Sequence, residues 1–188
     1  KMLRWSIATV CMGGTLEVKL QAAARAGFRA IEIFENDLTF FNGRPRDVRA
    51  RAQDLGLDII ALQPMRDFEG MPGAARVKNF ERAQRKFDLM EELGTHTLCI
   101  CSSVAEEASG DFDVIARDLA ELADLAAQRK VVIYPVGIGA DALTVRSLFG
   151  LRQINPSADL DEGTLTAIAE MTGGKYFRAR DTQEFQQI

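Results

Sequence analysis

Short apolar runs rich in β-branched residues alternate along the chain with longer segments in which apolar residues recur at helical spacing. This alternation is typical of parallel βα units, in which a helix connects each strand to the next. The pattern predicts six strands, at residues 5–10, 30–34, 58–63, 97–102, 131–136 and 175–179. A mostly parallel α/β sheet with flanking helices is therefore expected.

Four helical segments separate the first five strands, at residues 16–27, 44–56, 74–94 and 111–130. The first three end in glycine, which is typical of a left-handed helix C-cap. The pattern changes after residue 140, where the sequence predicts an irregular segment with at most one short helix around residues 143–149. A further helix is expected to begin near Asp159 and Glu162, which have the spacing of a capping box, and to end at Gly173.

Charge and composition argue against a nucleic-acid-binding protein and against a membrane-spanning one. The 188 residues carry a formal net charge of -4, and the basic residues are scattered. This distribution excludes the basic patch of a nucleic-acid-binding surface. No apolar run approaches the roughly 20 residues that span a bilayer, and the first residues lack the apolar core of a signal peptide. We expect a soluble, cytoplasmic protein with neither nucleic acid nor membrane as a partner.

The three cysteines, Cys11, Cys99 and Cys101, fit no disulfide framework and no zinc spacing. Free cysteines often serve as small buried hydrophobic residues, and this is the expectation here. Cys99 and Cys101 share one face of the fourth strand, which keeps a redox pair open as an alternative. The single histidine, His96, is expected to be structural.

Polar residues follow three consecutive predicted strands at their carboxyl ends, where parallel α/β proteins bind ligands. Arg66 is the natural bidentate partner for a carboxylate among them. A solvated loop rim would have the same composition, so both interpretations stay open. The set comprises Glu35, Asn36 and Asp37 after the second strand, Gln63, Arg66, Asp67 and Glu69 after the third, and Ser102 and Ser103 after the fourth.

The sequence lacks several common catalytic and nucleotide-binding motifs. The turn GIGAD contains G-x-G but lacks the third glycine of a dinucleotide fingerprint. Neither a Walker loop, a nucleophile elbow nor an HExxH motif occurs.

Residues from about 3 to 120 carry a recognisable signature in the stretches SIATV, GTLEVKLQAAARAGFRAIEIFEND, QPMRDFEG, ERAQRKFDLMEELG and CSSVA. This region resembles bacterial 3-dehydroshikimate dehydratases of the sugar-phosphate isomerase/epimerase-like TIM-barrel superfamily. The resemblance implies eight βα units and a metal-dependent lyase that converts 3-dehydroshikimate to protocatechuate. It also implies that Glu35, Asn36 and Arg66 border the substrate pocket, and we predict them as vestigial substrate-binding residues.

The same resemblance implies a divalent cation such as Mg²⁺ or Mn²⁺, held partly by a glutamate at the end of the fifth strand. That strand ends here in Pro135, Val136 and Gly137. Because the later sequence supplies neither the histidine nor the acidic ligands of the family, we predict no metal site, no cofactor and no catalytic residue.

Residues 123–188 are similar instead to the C-terminal part of von Willebrand factor A domains of the bacterial aerotolerance type, in ADLAAQRKVVIYPVGIGAD and INPSADLDEGTLTAIAEMTGGKYFRARDT. That resemblance implies a doubly wound, Rossmann-like fold, whose D-x-S-x-S metal motif is absent from this sequence. We interpret the chain as an engineered chimera with one domain over residues 1–188. A half-barrel (βα)4-like segment, 1–122, would meet a von Willebrand-like segment, 123–188, at a seam inside helix 111–130.

The resulting hypothesis is an α/β scaffold with no selected catalytic activity and a single, mostly parallel, six-stranded sheet. The alternative fold is a barrel-like sheet closed through dimerisation, and a homodimer through an exposed sheet edge or face is possible in either case. The alternative functions are a residual metal-dependent dehydratase and a module that binds a small anion at the rim.

Overall fold

The computed structural model describes residues 5–139, 143–147, 150–154 and 161–185. The chain divides into two compact units, Lys1–Val131 and Val132–Ile188, and each is described by itself. The single domain over residues 1–188 and the seam inside helix 111–130 stay predictions.

A four-stranded parallel sheet forms the centre of the first unit, with its strands in sequence order. Ile31 pairs with Ile7 on one side and with Ile59 on the other. All strands run in the same direction, so their carboxyl ends lie along one edge of the sheet. The strands are β1 (Ser6–Ala8), β2 (Ala30–Phe34), β3 (Asp58–Met65) and β4 (Leu98–Ile100).

The four longer helices of this unit lie close to the predicted segments, and each presents buried apolar residues. Helix α4 ends at Gly94, whose φ of 75° is the left-handed conformation that favours glycine. A 3₁₀ turn follows β1 at Thr9–Cys11. The helices are α1 (Leu16–Arg25), α2 (Glu35–Thr39), α3 (Pro45–Asp54), α4 (Gly73–Leu93) and α5 (Phe112–Gln128). The short α2, directly after β2, was not predicted.

Alternation along β2 defines the core of this unit. Ile31 and Ile33 are fully buried, as are Leu20 of α1, Val48 of α3 and Leu62 of β3. Each such side chain contributes roughly 1.5–3 kcal/mol by leaving water. The residue between the two isoleucines, Glu32, is placed on the opposite face of the sheet, because strand side chains alternate.

The second unit contains a parallel pair, β5 (Val136–Ile138) and β8 (Phe177–Ala179), and an antiparallel hairpin, β6 (Leu143–Ser147) and β7 (Gly150–Ile154). Its helices are α6 (Glu162–Met171) and α7 (Thr182–Phe185). The side chain of Asp161 caps α6 by accepting from the Thr164 amide at 3.0 Å. The predicted cap at Asp159 lies outside the described residues.

Three predictions need correction. The described strands form sheets of four and two strands, so the single six-stranded sheet is not confirmed, whereas the α/β class with a parallel sheet is. The short helix expected around residues 143–149 is wrong, because β6 and β7 pair there as a hairpin. The fifth strand begins at Val136 instead of residue 131, since Pro135 lacks the amide hydrogen that a paired strand donates.

Within the described part of the chain, none of the helices is both long enough and apolar enough to cross a membrane.

Candidate functional site

The carboxylate of Glu32 lies at the centre of a polar group on the sheet. Its Oε1 accepts from the Ser6 hydroxyl at 3.3 Å, and its Oε2 accepts from the Gln63 amide at 2.9 Å. These side chains come from β1, β2 and β3, so three neighbouring strands contribute to one polar face. The two hydrogen bonds fix the orientation of the carboxylate.

Cys99 of β4 extends this face toward Arg66. Partial desolvation raises the pKa of the Cys99 thiol, and the neighbouring Cys101 and the Glu32 carboxylate raise it further, whereas the Arg66 guanidinium lowers it. Glu32 and Arg66 therefore both act on the same thiol. The expectation of buried cysteines is wrong, because Cys11, Cys99 and Cys101 are all exposed.

Glu35, the first residue of α2, pairs with the Lys86 ammonium of α4. The same ammonium donates to the Pro64 carbonyl at 3.2 Å, so one lysine connects the ends of β2 and β3. Lys86 is 2% exposed. Burial lowers the pKa of Lys86, and the Glu35 carboxylate opposes this only in part.

A second buried lysine holds the same short helix from the other side. Lys19 of α1 donates to both carboxylate oxygens of Asp37, at 2.7 and 2.9 Å. The two side chains are 7% and 14% exposed. Helix α2 is thus attached to α1 and α4 by two ion pairs, and the lysine of each pair is buried.

The segments after β3 and β4 are joined by two acidic side chains. Asp67 Oδ1 accepts from the amides of Val104 and Ala105, at 2.9 and 3.2 Å. Glu69 Oε1 accepts from the Ser103 amide at 2.5 Å, and the Glu69 carbonyl accepts from the Ser103 hydroxyl at 2.7 Å. Both acidic residues therefore serve the connection between the two segments.

Asp118 of α5 fixes the far end of the segment after β3. Its carboxylate is fully buried and accepts from the Gly70 amide at 3.0 Å, from Arg76 Nε at 2.8 Å and from Arg117 at 3.0 Å. Burial alone would raise the pKa of Asp118, but the hydrogen bonds from Arg76, Arg117 and Gly70 outweigh it and hold the pKa below its ordinary value.

The predicted site residues thus have different surroundings. Glu35 is ion-paired, whereas Asn36, Arg66 and Ser102 are exposed at the rim. Substrate contact by Glu35, Asn36 and Arg66 stays a prediction. Gln63 reaches Glu32, and Asp37, Asp67, Glu69 and Ser103 have the structural contacts described above.

Sequence reasoning missed Ser6, Glu32 and the two buried lysines. For Glu32 and the two lysines, the sequence pattern contained a signal that could have identified them. Glu32 is a charged residue within an apolar strand, and each lysine occupies the buried stripe of its helix. Lys19 falls at that spacing among Leu16, Leu20 and Ala23, and Lys86 falls among Ala83, Phe87 and Met90.

The described residues do not fit the divalent cation that the family resemblance implies. They contain no group of three or more histidine, cysteine or acidic side chains arranged to hold a metal. Glu35 and Asp37, which are carboxylates of the kind that such a cation prefers, are neutralised by lysine ammonium groups.

The chain is similar to known dehydratases. It is 55% identical over 124 residues to the 3-dehydroshikimate dehydratase of Pseudomonas aeruginosa and 51% identical over 124 residues to that of Pseudomonas putida. Each match covers 66% of this chain but 20% of the relative, so the chain spans about a fifth of the length of these curated relatives. The prediction of an engineered scaffold that is not an enzyme is contradicted by these relatives, which favour the alternative, a dehydratase.

Solved structures agree in fold. A xylose isomerase-like TIM barrel/4-hydroxyphenylpyruvate dioxygenase fusion protein matches with a TM-score of 0.67 and 31% identity, over 94% of this chain and 38% of that one. The probable 3-DHS dehydratase AsbF of Bacillus anthracis matches with a TM-score of 0.65 and 14% identity, over 98% of this chain and 69% of that one. At that identity the second match shows the fold alone.

The comparisons do not show the predicted chimera with a von Willebrand factor A domain. They do support the resemblance of the N-terminal part to the dehydratases. The family model for xylose isomerase-like TIM barrels matches residues 20–135, more than half of the sequence, and the chain belongs to that family.

Proposed function

We propose that the protein acts in the dehydration of 3-dehydroshikimate to protocatechuate and binds this substrate at the carboxyl ends of β1 to β4. The observation that carries the proposal is the identity of 55% and 51% to two proteins named as that dehydratase. The position of two charged groups also supports it: the Glu32 carboxylate of β2 is held by the Gln63 amide, and Arg66 is exposed directly after β3.

The substrate and the reaction match these two groups. 3-Dehydroshikimate has a carboxylate, a ketone and ring hydroxyls, and its dehydration removes a proton next to the ketone and releases a hydroxyl group as water. The guanidinium of Arg66 is the bidentate partner for the carboxylate. Glu35 and Asn36, at the start of α2, border the same rim as further candidate contacts.

Among the carboxylates near the rim, Glu32 is the best suited to accept a proton from the substrate or a hydrogen bond from a substrate hydroxyl. In the part of the chain that the structure describes, it accepts hydrogen bonds from the neutral groups of Ser6 and Gln63. Glu35 and Asp37, by contrast, are paired with lysine ammonium groups, so their carboxylates are already engaged. A positioned general base contributes typically 10²–10⁴-fold to a rate.

The test is protocatechuate formation followed by ultraviolet absorbance, with and without added Mn²⁺ or Mg²⁺. We expect turnover by the wild type and a fall in kcat of about 10²-fold in E32Q. R66M should chiefly raise KM. A folded wild type that neither turns over nor binds 3-dehydroshikimate would contradict the proposal.

We also propose, separately, that residues 123–188 derive from a von Willebrand factor A domain and that the strands form one open sheet. The division of the chain into two compact units at Val131–Val132 supports a boundary close to the start of that segment. A crystal structure tests this: helices on both faces of the β5–β8 sheet would support it, and helices on one face would contradict it.

A homodimer through an exposed sheet edge also stays a proposal, supported by the position of β1 and β4 as the outer strands of the four-stranded sheet. Sedimentation velocity of the whole chain tests it. A single monomeric species at high micromolar concentration would contradict it.

A further inference from the structure

One face of α4 carries three side chains that donate to the backbone leaving β3. Asn79, Arg82 and Lys86 are spaced three and four residues apart, so they lie in one row along the helix. We call these three residues the donor row. Asn79 and Lys86 are buried, and Arg82 is half-buried.

The donor row contacts the backbone on both sides of the Arg66 side chain. Asn79 Nδ2 donates to the carbonyls of Asp67 and Phe68, at 2.6 and 2.9 Å. The Arg82 guanidinium donates to the carbonyl of Arg66 itself, and to that of Asp67 at 3.4 Å. Three successive carbonyls, those of Arg66, Asp67 and Phe68, are thus each held by a guanidinium or amide group of α4.

Lys86 completes the row at the strand end. Its ammonium donates to the Pro64 carbonyl at 3.2 Å and pairs with Glu35. The carbonyls of residues 64, 66, 67 and 68 are therefore all bound by one rigid helix. The bonds from Arg82 and Lys86 are charge-assisted, and such bonds are roughly twice as strong as neutral ones.

We propose that the donor row positions Arg66 for the substrate carboxylate and that Arg82 is the positioning residue of greatest effect. This inference rests on the proposed function, because Arg66 is taken to bind that carboxylate. A bidentate guanidinium–carboxylate pair needs the two planar groups aligned, and Arg82 holds the peptide unit from which the Arg66 side chain extends.

A structural role alone would give a different result. If Arg82 only stabilised the loop, its loss would weaken every ligand equally. If it positions Arg66, its loss affects only ligands that have a carboxylate. Misplacement by about 1 Å can cost on the order of 10²-fold in an aligned interaction, so the expected effect is measurable.

The experiment measures binding of 3-dehydroshikimate and of its methyl ester by calorimetry to the wild type, R82M, R66M and the double variant. The matched control is R85M, since Arg85 lies on the same helix with a side chain that is 68% exposed and pairs with Glu81. We expect R82M to bind the acid about tenfold or more weakly and the ester within about twofold of wild type. R85M should match the wild type for both ligands.

The double variant provides the sharpest comparison. If Arg82 acts through Arg66, R82M should have little further effect on acid binding once Arg66 is methionine. R82K, which retains a cationic donor, should recover part of the affinity and also serves if R82M does not fold. Equal weakening of acid and ester, additive effects of the two substitutions, or unchanged acid binding in R82M would overturn the proposal.

A second readout separates this inference from the proposed function. Amide hydrogen exchange at residues 65–69 needs no ligand, and R82M should accelerate it at least tenfold relative to R85M. If the wild type does not bind 3-dehydroshikimate, the proposed function fails, and accelerated exchange would still support the backbone-positioning part. Unchanged exchange in R82M would overturn that part whatever the substrate.

Discussion

The segments that follow β2 and β3 are held by opposite kinds of contact. After β2, the carboxylates of the segment itself, Glu35 and Asp37, pair with lysines that project from α4 and α1. At the end of β3 and after it, side chains of α4 and α5 bind the backbone, from the Pro64 carbonyl to the Gly70 amide. The first arrangement uses the segment's charged side chains to anchor it, whereas the second leaves Arg66 exposed and available to a ligand.

The largest effect on stability is expected from removing the buried carboxylate of Asp118, which holds the segment after β3. D118A removes the acceptor of the Gly70 amide and of Arg76 Nε, and we expect the free energy of unfolding to fall by about 3 kcal/mol. Urea denaturation measures it. D124A, at an exposed position of the same helix, is the control and should lie within about 0.5 kcal/mol of wild type. Equal loss in both variants would show that Asp118 is not special.

In the Glu35–Lys86 ion pair, removing the carboxylate should cost more stability than removing the lysine. E35Q leaves the Lys86 ammonium buried without its anion and should cost about 2 kcal/mol of unfolding free energy. K86M leaves a carboxylate whose side chain is 38% exposed and can be hydrated, so it should cost less than about 1 kcal/mol. Denaturant titrations of both variants test this. The reverse order would contradict the assignment of Lys86 as the buried partner.

The stability that the buried Asp118 carboxylate contributes should depend on pH. The folded-state pKa of Asp118 lies below its reference value of 3.8, so its stabilisation is fully present above that value and is lost as the pH falls through the folded pKa. D118N removes this term. The stability advantage of wild type over D118N, about 2 kcal/mol at neutral pH, should therefore shrink in acid below pH 3.8. A constant difference down to pH 2 would contradict the assignment.

The smallest effect on stability is expected for an exposed ion pair, Arg46–Glu92. Arg46 Nε lies 3.6 Å from Glu92 Oε2, and the two side chains are 61% and 41% exposed. R46A should change the unfolding free energy by less than about 0.5 kcal/mol in physiological salt. A loss near that of E35Q would show that burial does not determine the order of these effects.

Much of the first unit follows from the sequence pattern. Period-two and helical spacing predict β2 and α4 almost to the residue, because local periodicity and glycine caps determine them. The pairing of β6 with β7 was not predicted, since each strand is only five residues long. Pairing of two such strands depends on contacts that one segment does not encode.

The site was predictable only at its rim. Arg66 and Glu35 follow strands and are recognised by position, but their fixing groups come from helices 16 to 51 residues away in sequence. Lys86 was recognisable as a cation on an apolar stripe. Asn79 and Arg82 bind main-chain carbonyls, which every residue has, so residue type alone does not identify their partners.

The most direct test of the account is a calorimetric titration of 3-dehydroshikimate into the whole chain and into R66M. We predict saturable one-site binding to the wild type and at least a tenfold loss of affinity in R66M, which is about 1.4 kcal/mol. No saturable binding to a folded wild type, or equal affinity in R66M, would contradict the claim that this rim recognises the substrate carboxylate.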